Sequence, residues 1–198
     1  MKRVQRKTST DLRIIKTDRA ITHALAKLLR TKSIDTITVT ELCQIANINR
    51  KTFYMHFYTM DEVLEFILNT ISEHYYQIQE STHQQGIYDL TRAVNEMLRL
   101  IQGEIEYCRD LACGTEYHRI LSYCIQMSVD IRLLFIDEKT ASDPVVQRVQ
   151  HFMNGGYITT ILDWLRASDD MDYTELANIS NDLFRAIREK YPMDIINE

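Results

Sequence analysis

The chain has 198 residues, enough for one mid-sized domain or a small head on a larger body. Hydrophobic residues make up 45%, with only 5 glycines and 2 prolines, a balance that disfavours β-sandwiches and long loops and favours packed helices. No apolar run approaches the ~20 residues that span a bilayer and no secretory signal is visible, so the sequence reads as cytoplasmic, with no membrane partner.

In chain order, residues 1–10 read as a basic arm without fixed structure. A first helix is predicted from near Lys16 to Arg30, with Ile21, Ala24, Leu25 and Leu28 as its apolar stripe. Asp35 to Thr38 is a connector. Next come a short helix, a tight turn and a second short helix. Leu42, Ile45 and Ala46 give the first of these one apolar face. Ile48 lies in the turn, and Asn49 stands where its side-chain oxygen can cap the second helix. Phe53 and Phe57 recur at helical spacing on its buried side. Facing outward are Arg50, Lys51, Thr52, Tyr54 and His56, five donors or stackers with no acid among them, a surface suited to the major groove of DNA.

Charge distribution points the same way. Residues 1–60 carry 12 Lys/Arg against 4 Asp/Glu, a net of +8, whereas the whole chain is −5, which leaves −13 on residues 61–198. A basic head on an acidic body places a polyanion partner at one end only. A solvated basic tail accounts for part of residues 1–10 but not for Arg50 and Lys51 inside the motif.

These residues resemble the TetR (tetracycline-repressor) family of bacterial regulators. Thr38, Val39, Leu42, Ala46, Ile48, Thr52, Phe53, Tyr54, His56, Phe57 and Asp61 fit the family motif, whose most specific part is T-F-Y-x-H-F. Asn49 replaces the usual capping Ser. Asn47 replaces the turn Gly, and it tolerates the left-handed conformation better than most residues. Met60 replaces the Lys that opens the fourth helix and typically reaches a DNA phosphate. The close match covers about the first third of the chain, and the rest matches in layout. The resemblance implies an all-α fold of about nine helices: a three-helix DNA-binding head, residues 1–58, and an effector-binding and dimerisation bundle, residues 59–198. It implies a homodimer on a palindromic operator of double-stranded DNA, most often a repressor released by a small molecule. In that picture Arg50 and Lys51 read base edges, Tyr54 meets a phosphate, and Thr38 and the basic arm add phosphate contacts.

Beyond the head, Met60, Val63, Leu64, Ile67, Leu68, Ile71, Tyr75 and Ile78 predict a long helix from Thr59 that ends before Gly86. Helices follow at Tyr88–Ile101 and Glu116–Phe135, with Ile105–Leu111 ambiguous and Asp137–Ser142 read as a loop. Asp143-Pro144 is a strong helix start, and Pro144–Arg166 a helix with Gly155-Gly156 at its middle, where each Gly costs roughly 1 kcal/mol relative to Ala. A backbone approaching closely would explain the pair; a local kink is the alternative. Asp172–Lys190 is the last helix. These two helices resemble the family's dimerisation pair, with Phe152, Gly155, Gly156, Ile161, Trp164, Leu165, Leu183 and Ile187 as the expected interface. The stretch FMNGGYITTILDWL resembles a Gram-positive TetR subgroup, some of whose members act with partner proteins.

An effector wall is expected from Tyr75, Met97, Tyr107, Tyr117, His118, Tyr123, Cys124 and Met127, although aromatics and Met at helical spacing also make ordinary core. Cys43, Cys108, Cys113 and Cys124 form no C-x-x-C pair, and the spacings of the last three with His118 match no common zinc pattern, so buried thiols are the reading and no metal is expected. No Gly-rich phosphate loop, G-x-S-x-G or H-E-x-x-H is present, so no catalytic residue or cofactor is expected. Two functions stand: a DNA-binding regulator, and an interaction module of the same fold acting through a protein partner, which Met60 favours.

Overall fold

The computed structural model describes residues 11–84, 87–135, 138–167 and 171–191; the basic arm and Gly86 lie outside them. Ten α-helices run through the described residues. The first, α1 (Leu12–Leu29), begins a turn earlier than its apolar stripe predicts, because Asp11 caps it by accepting from the Arg13 N–H at 2.9 Å. A single 3₁₀ turn at Ile34–Thr36 leads into α2 (Val39–Ala46) and α3 (Arg50–His56). The long α4 (Met60–Thr82) has 23 residues, about 34 Å at ~1.5 Å per residue.

At the end of α4 the chain makes a small antiparallel ladder that sequence periodicity did not signal, His83–Gln84 against Ile87–Tyr88. It continues through α5 (Leu90–Gly103), α6 (Ile105–Ala112), α7 (Tyr117–Leu133), α8 (Glu138–Ala141), α9 (Pro144–Arg166) and α10 (Tyr173–Lys190). Gly103 closes α5, and the ambiguous stretch after it is a helix. The polar segment expected to be a loop contains the single turn α8. Asp143 and Asp172 cap α9 and α10 as their positions predict, each accepting from two backbone N–H groups.

Two apolar clusters organise the chain. One joins Ile21, Leu25 and Leu29 of α1, Leu42 of α2, Phe53 and Phe57 around α3, and Val63, Leu64 and Ile67 of α4, and it extends to Leu111, Ile120 and Cys124 of α6 and α7. Each fully buried Phe or Leu here contributes about 1.5–3 kcal/mol relative to exposure. The other packs Val94 and Leu98 of α5 against Met153, Ile161, Trp164 and Leu165 of α9 and Leu176 and Phe184 of α10. Ile45, expected inward, is exposed; Cys43, two positions earlier, takes the buried place beside Leu42.

α4 is not the sole tie between residues 11–58 and the rest of the chain. The turn between α6 and α7 docks on the end of α1: the Thr115 N–H donates to the Leu29 carbonyl at 2.8 Å and its hydroxyl to the Lys32 carbonyl at 2.9 Å. Gly114 sits in this turn, where a Cβ would crowd the Asp110 carbonyl oxygen of α6 at 3.1 Å and meet Leu29 Cβ at an ordinary contact of 3.4 Å. Arg30–Asp110 at 3.1 Å and an Arg19–Glu104 pair span the same seam.

Candidate nucleic-acid interface

The turn between α2 and α3 depends on Asn47. It sits at φ 53°, ψ 45°, and its N–H reaches the Cys43 and Gln44 carbonyls, closing α2 in the left-handed conformation that Asn adopts more readily than most residues. Ile48 tucks partly against the core. Asn49 then opens α3, its Oδ1 accepting from the Thr52 N–H at 2.7 Å and the Thr52 hydroxyl at 3.1 Å. At the start of α2 the exposed Thr38 is already engaged as a cap, accepting from the Glu41 N–H at 3.2 Å.

Phe53 and Phe57 pin α3 from below. Arg50, Lys51 and Tyr54 are exposed on the other side, with Thr52 half-buried. Among the described residues no carboxylate lies within ion-pair distance of Arg50 or Lys51. Two residues that sequence reasoning passed over share the region: Met55 is 74% exposed and Tyr58 73%. An aliphatic or phenolic side chain left in water within a buried-exposed repeat was the signal available.

His56 departs from expectation. Its ring is turned into the seam with α1, Nδ1 2.7 Å from Asp18 Oδ1, and little of it reaches solvent. It fastens α3 to α1 instead of presenting a free donor. Met60 is buried at the head of α4, so no cation opens that helix. Thr59 caps it by accepting from the Glu62 N–H at 3.1 Å, while the Glu62 carboxylate accepts from the Tyr58 N–H at 2.8 Å, a reciprocal arrangement like a capping box.

No protein-family model matches the chain, and no curated protein does. Solved structures do. The chain is similar to a TetR-family transcriptional regulator from Streptomyces coelicolor (TM-score 0.59, 16% identity, 88% of this chain and 83% of that one). It is also similar to the dihydroxyacetone kinase operon activator DhaS (TM-score 0.55, 15% identity, 89% and 96%) and to a TetR transcriptional regulator from Streptococcus agalactiae 2603V (TM-score 0.51, 22% identity, 86% and 94%). The chain has the all-α TetR fold.

Within this TetR fold the expected interface divides in two. Phe152 is 73% exposed and Leu183 61%, Gly155 and Gly156 face open space, and Val145 and Ile179 are exposed on the same two helices. Ile161, Trp164 and Leu165 instead face inward as core of the chain, and the Trp164 indole donates to the Met171 carbonyl at 2.8 Å. Ile187 packs partly against that core. Bulky apolar residues on both sides of α9 look alike in a sequence, and only packing separates them.

The expected effector wall is dispersed. Tyr107 stacks on His23 with ring centres 4.3 Å apart, and Tyr123 and Cys124 belong to the head-side cluster. Met127 is buried, Met97 packs against both the α5–α9–α10 cluster and a small third one of Ile78, Tyr88 and Ala93, Tyr117 lies under the Arg166 guanidinium at 4.3 Å, and His118 is exposed beside it. Tyr75 lines a cavity. That cavity, of about 30 Å³, is lined by residues of α4, α5, α7, α9 and α10 and by Tyr88. Burial pushes the Cys108 and Cys124 thiols up to about 12, Cys113 is exposed, and among the described residues no group of three or more His, Cys, Asp or Glu side chains is arranged to hold a metal ion.

Proposed function

We propose that the protein is a DNA-binding transcriptional regulator acting as a cytoplasmic homodimer, with residues 1–58 as the reading head and 59–198 as the sensing and dimerising body. The observation that carries this reading is the exposed edge of α3. Among the described residues Arg50 and Lys51 have no carboxylate counter-charge, and they project from a helix whose opposite side is fixed by Phe53, Phe57 and the His56–Asp18 pair. A short helix held that rigidly, with cationic donors outward, matches major-groove readout: Arg and Lys reach guanine acceptors, while Tyr54, Thr52 and Thr38 serve phosphates.

Two heads on one operator must be spaced by about 34–36 Å or a multiple. The exposed apolar strip of α9 and α10, centred on Phe152, Gly156 and Leu183, is the surface we assign to the two-fold contact. Since a side chain at Gly156 meets open space within the subunit, Gly156→Leu leaves the fold intact and weakens the dimer; sedimentation velocity at micromolar concentration reads this. A wild-type chain that sediments as a monomer overturns the assignment.

Repression with release by an effector is the mode we favour, through a coupling of about 1–3 kcal/mol between effector and operator. The test is fluorescence anisotropy with DNA from the region upstream of the protein's own gene. Binding that weakens steeply with salt and falls in Arg50→Ala supports the reading, and absence of DNA binding by the wild-type dimer refutes it. One observation favours a second reading, an interaction module acting through a protein partner: Met60 is buried where a cation would meet a phosphate.

A further inference from the structure

The cavity in the body has an unusual lining. Tyr75, Tyr88, Arg132, Gln150, Asn154 and Arg188 supply its polar groups and Leu90, Met153 and Phe184 its apolar wall. Among the described residues two guanidinium groups border it and no acidic side chain does. Arg132 is only 7% exposed, and among the described residues no carboxylate pairs with it. It is held by neutral groups instead. Its guanidinium lies 3.7 Å over the Tyr88 ring, and Nη1 donates to His83 Nε2 at 2.9 Å. His83 can accept there only as the neutral tautomer whose Nδ1–H donates to the Gln79 carbonyl, 2.7 Å away. Asp89, close enough to act on Arg188 and Tyr88, is committed to capping α5 through the Arg92 N–H at 2.9 Å.

A buried cation without a counter-ion is costly. Burial drives the Arg132 guanidinium toward its neutral form, opposed by the two tyrosines. A further donor waits at the same place, since the buried Asn154 Nδ2 has no hydrogen-bond partner. A water needs roughly 10–15 Å³ of such space, so about 30 Å³ holds two, the footprint of two carboxylate oxygens.

We propose that this cavity binds the carboxylate of a small organic acid, with Arg132 as charge partner and Asn154, Tyr75 and Arg188 around the anion. The small volume favours a carboxylate over a bulkier, more hydrated phosphate, since the planar guanidinium pairs bidentately with either. Tyr75 lies on α4, 15 residues from its first residue, Met60, so occupancy of the cavity bears on the helix that leads to the head. That regulatory consequence rests on the DNA-binding reading above; the binding does not.

The experiment is isothermal titration of the DNA-free wild-type protein with acetate, propionate and butyrate, beside their amides and inorganic phosphate. Saturable one-to-one binding of an acid, at least tenfold tighter than its amide, is expected. Arg132→Gln should weaken it at least tenfold. Asn154→Asp, which conserves volume and adds a repelling charge, should do the same and covers the case in which Arg132→Gln does not fold. The proposal is overturned if none of the acids binds, if phosphate binds tighter than every acid, or if the folded variants bind as the wild type does. DNA affinity is measured separately with and without the acid: acid binding with no operator binding refutes the regulator reading alone, and operator binding with no acid binding refutes the cavity alone.

Discussion

Arg50 and Arg132 are the same residue in opposite surroundings. Arg50 stands in water on a seven-residue helix, with no carboxylate of the described residues in ion-pair range, and solvent hydrates its charge at no cost to the fold. Arg132 is enclosed among Tyr75, Tyr88 and His83, where each lost hydration contact must be replaced by a ring face or a lone pair. The difference teaches that a cation's contribution to stability and its contribution to recognition separate by environment. Exposed cations are free for a partner that brings its own charge. Enclosed ones belong to the fold until something small enough to enter supplies an anion.

The largest effect expected is on stability. Arg132→Ala removes the stacked guanidinium and its aliphatic stem, leaves His83 Nε2 without its donor, and should destabilise by about 2–5 kcal/mol in urea unfolding. Arg50→Ala should leave the same urea curve within about 0.5 kcal/mol of wild type. The comparison fails if the two variants unfold alike.

In DNA binding the order reverses. Arg50→Ala should lose about 1–3 kcal/mol of operator affinity, read by anisotropy, and relax sequence preference if the residue reads a base. A loss uniform across sequences would reassign it to the phosphate backbone.

Asn49→Ala tests what holds the exposed edge in place. Its Oδ1 satisfies the Thr52 N–H, so the variant should lose about 1 kcal/mol of stability, with weaker DNA binding following from fraying at Arg50. Denaturant unfolding and anisotropy on one preparation separate the two.

The smallest effect is a pH dependence. Burial and the Arg132 charge hold the His83 pKa below its ordinary value against the bond to the Gln79 carbonyl, and burial likewise lowers His23. The unfolded chain therefore binds protons that the folded chain resists, and stability falls as pH drops below about 6.5. His83→Asn should flatten that slope in thermal unfolding between pH 7 and 5; an unchanged slope would remove His83 from the account.

What the sequence disclosed depended on how local each feature is. The helix starts at Asn49, Asp143 and Asp172, the buried phase of Phe53 and Phe57, and the long α4 all follow from residues within one or two turns. His56 was read as a free donor because its partner, Asp18, is 38 positions away on another helix. The polar cavity escaped for the same reason: its lining comes from five helices and the ladder, and no window of the chain holds more than a few of its members. On α9, Phe152 and Trp164 carry the same apolar signal, and only the neighbours contributed by α5 and α10 decide that one faces solvent and the other the core.

The docking along α1 has a kinematic consequence. Contacts run the length of that helix, from the Arg19–Glu104 pair and the His23–Tyr107 stack to the Thr115 bonds on Leu29 and Lys32. Attachments strung along one line leave a rigid body only the rotation about that line. A displacement of α4 would therefore swing α3 about the α1 seam, so the direction in which the exposed edge travels is set by the course of α1 and not by where the push originates.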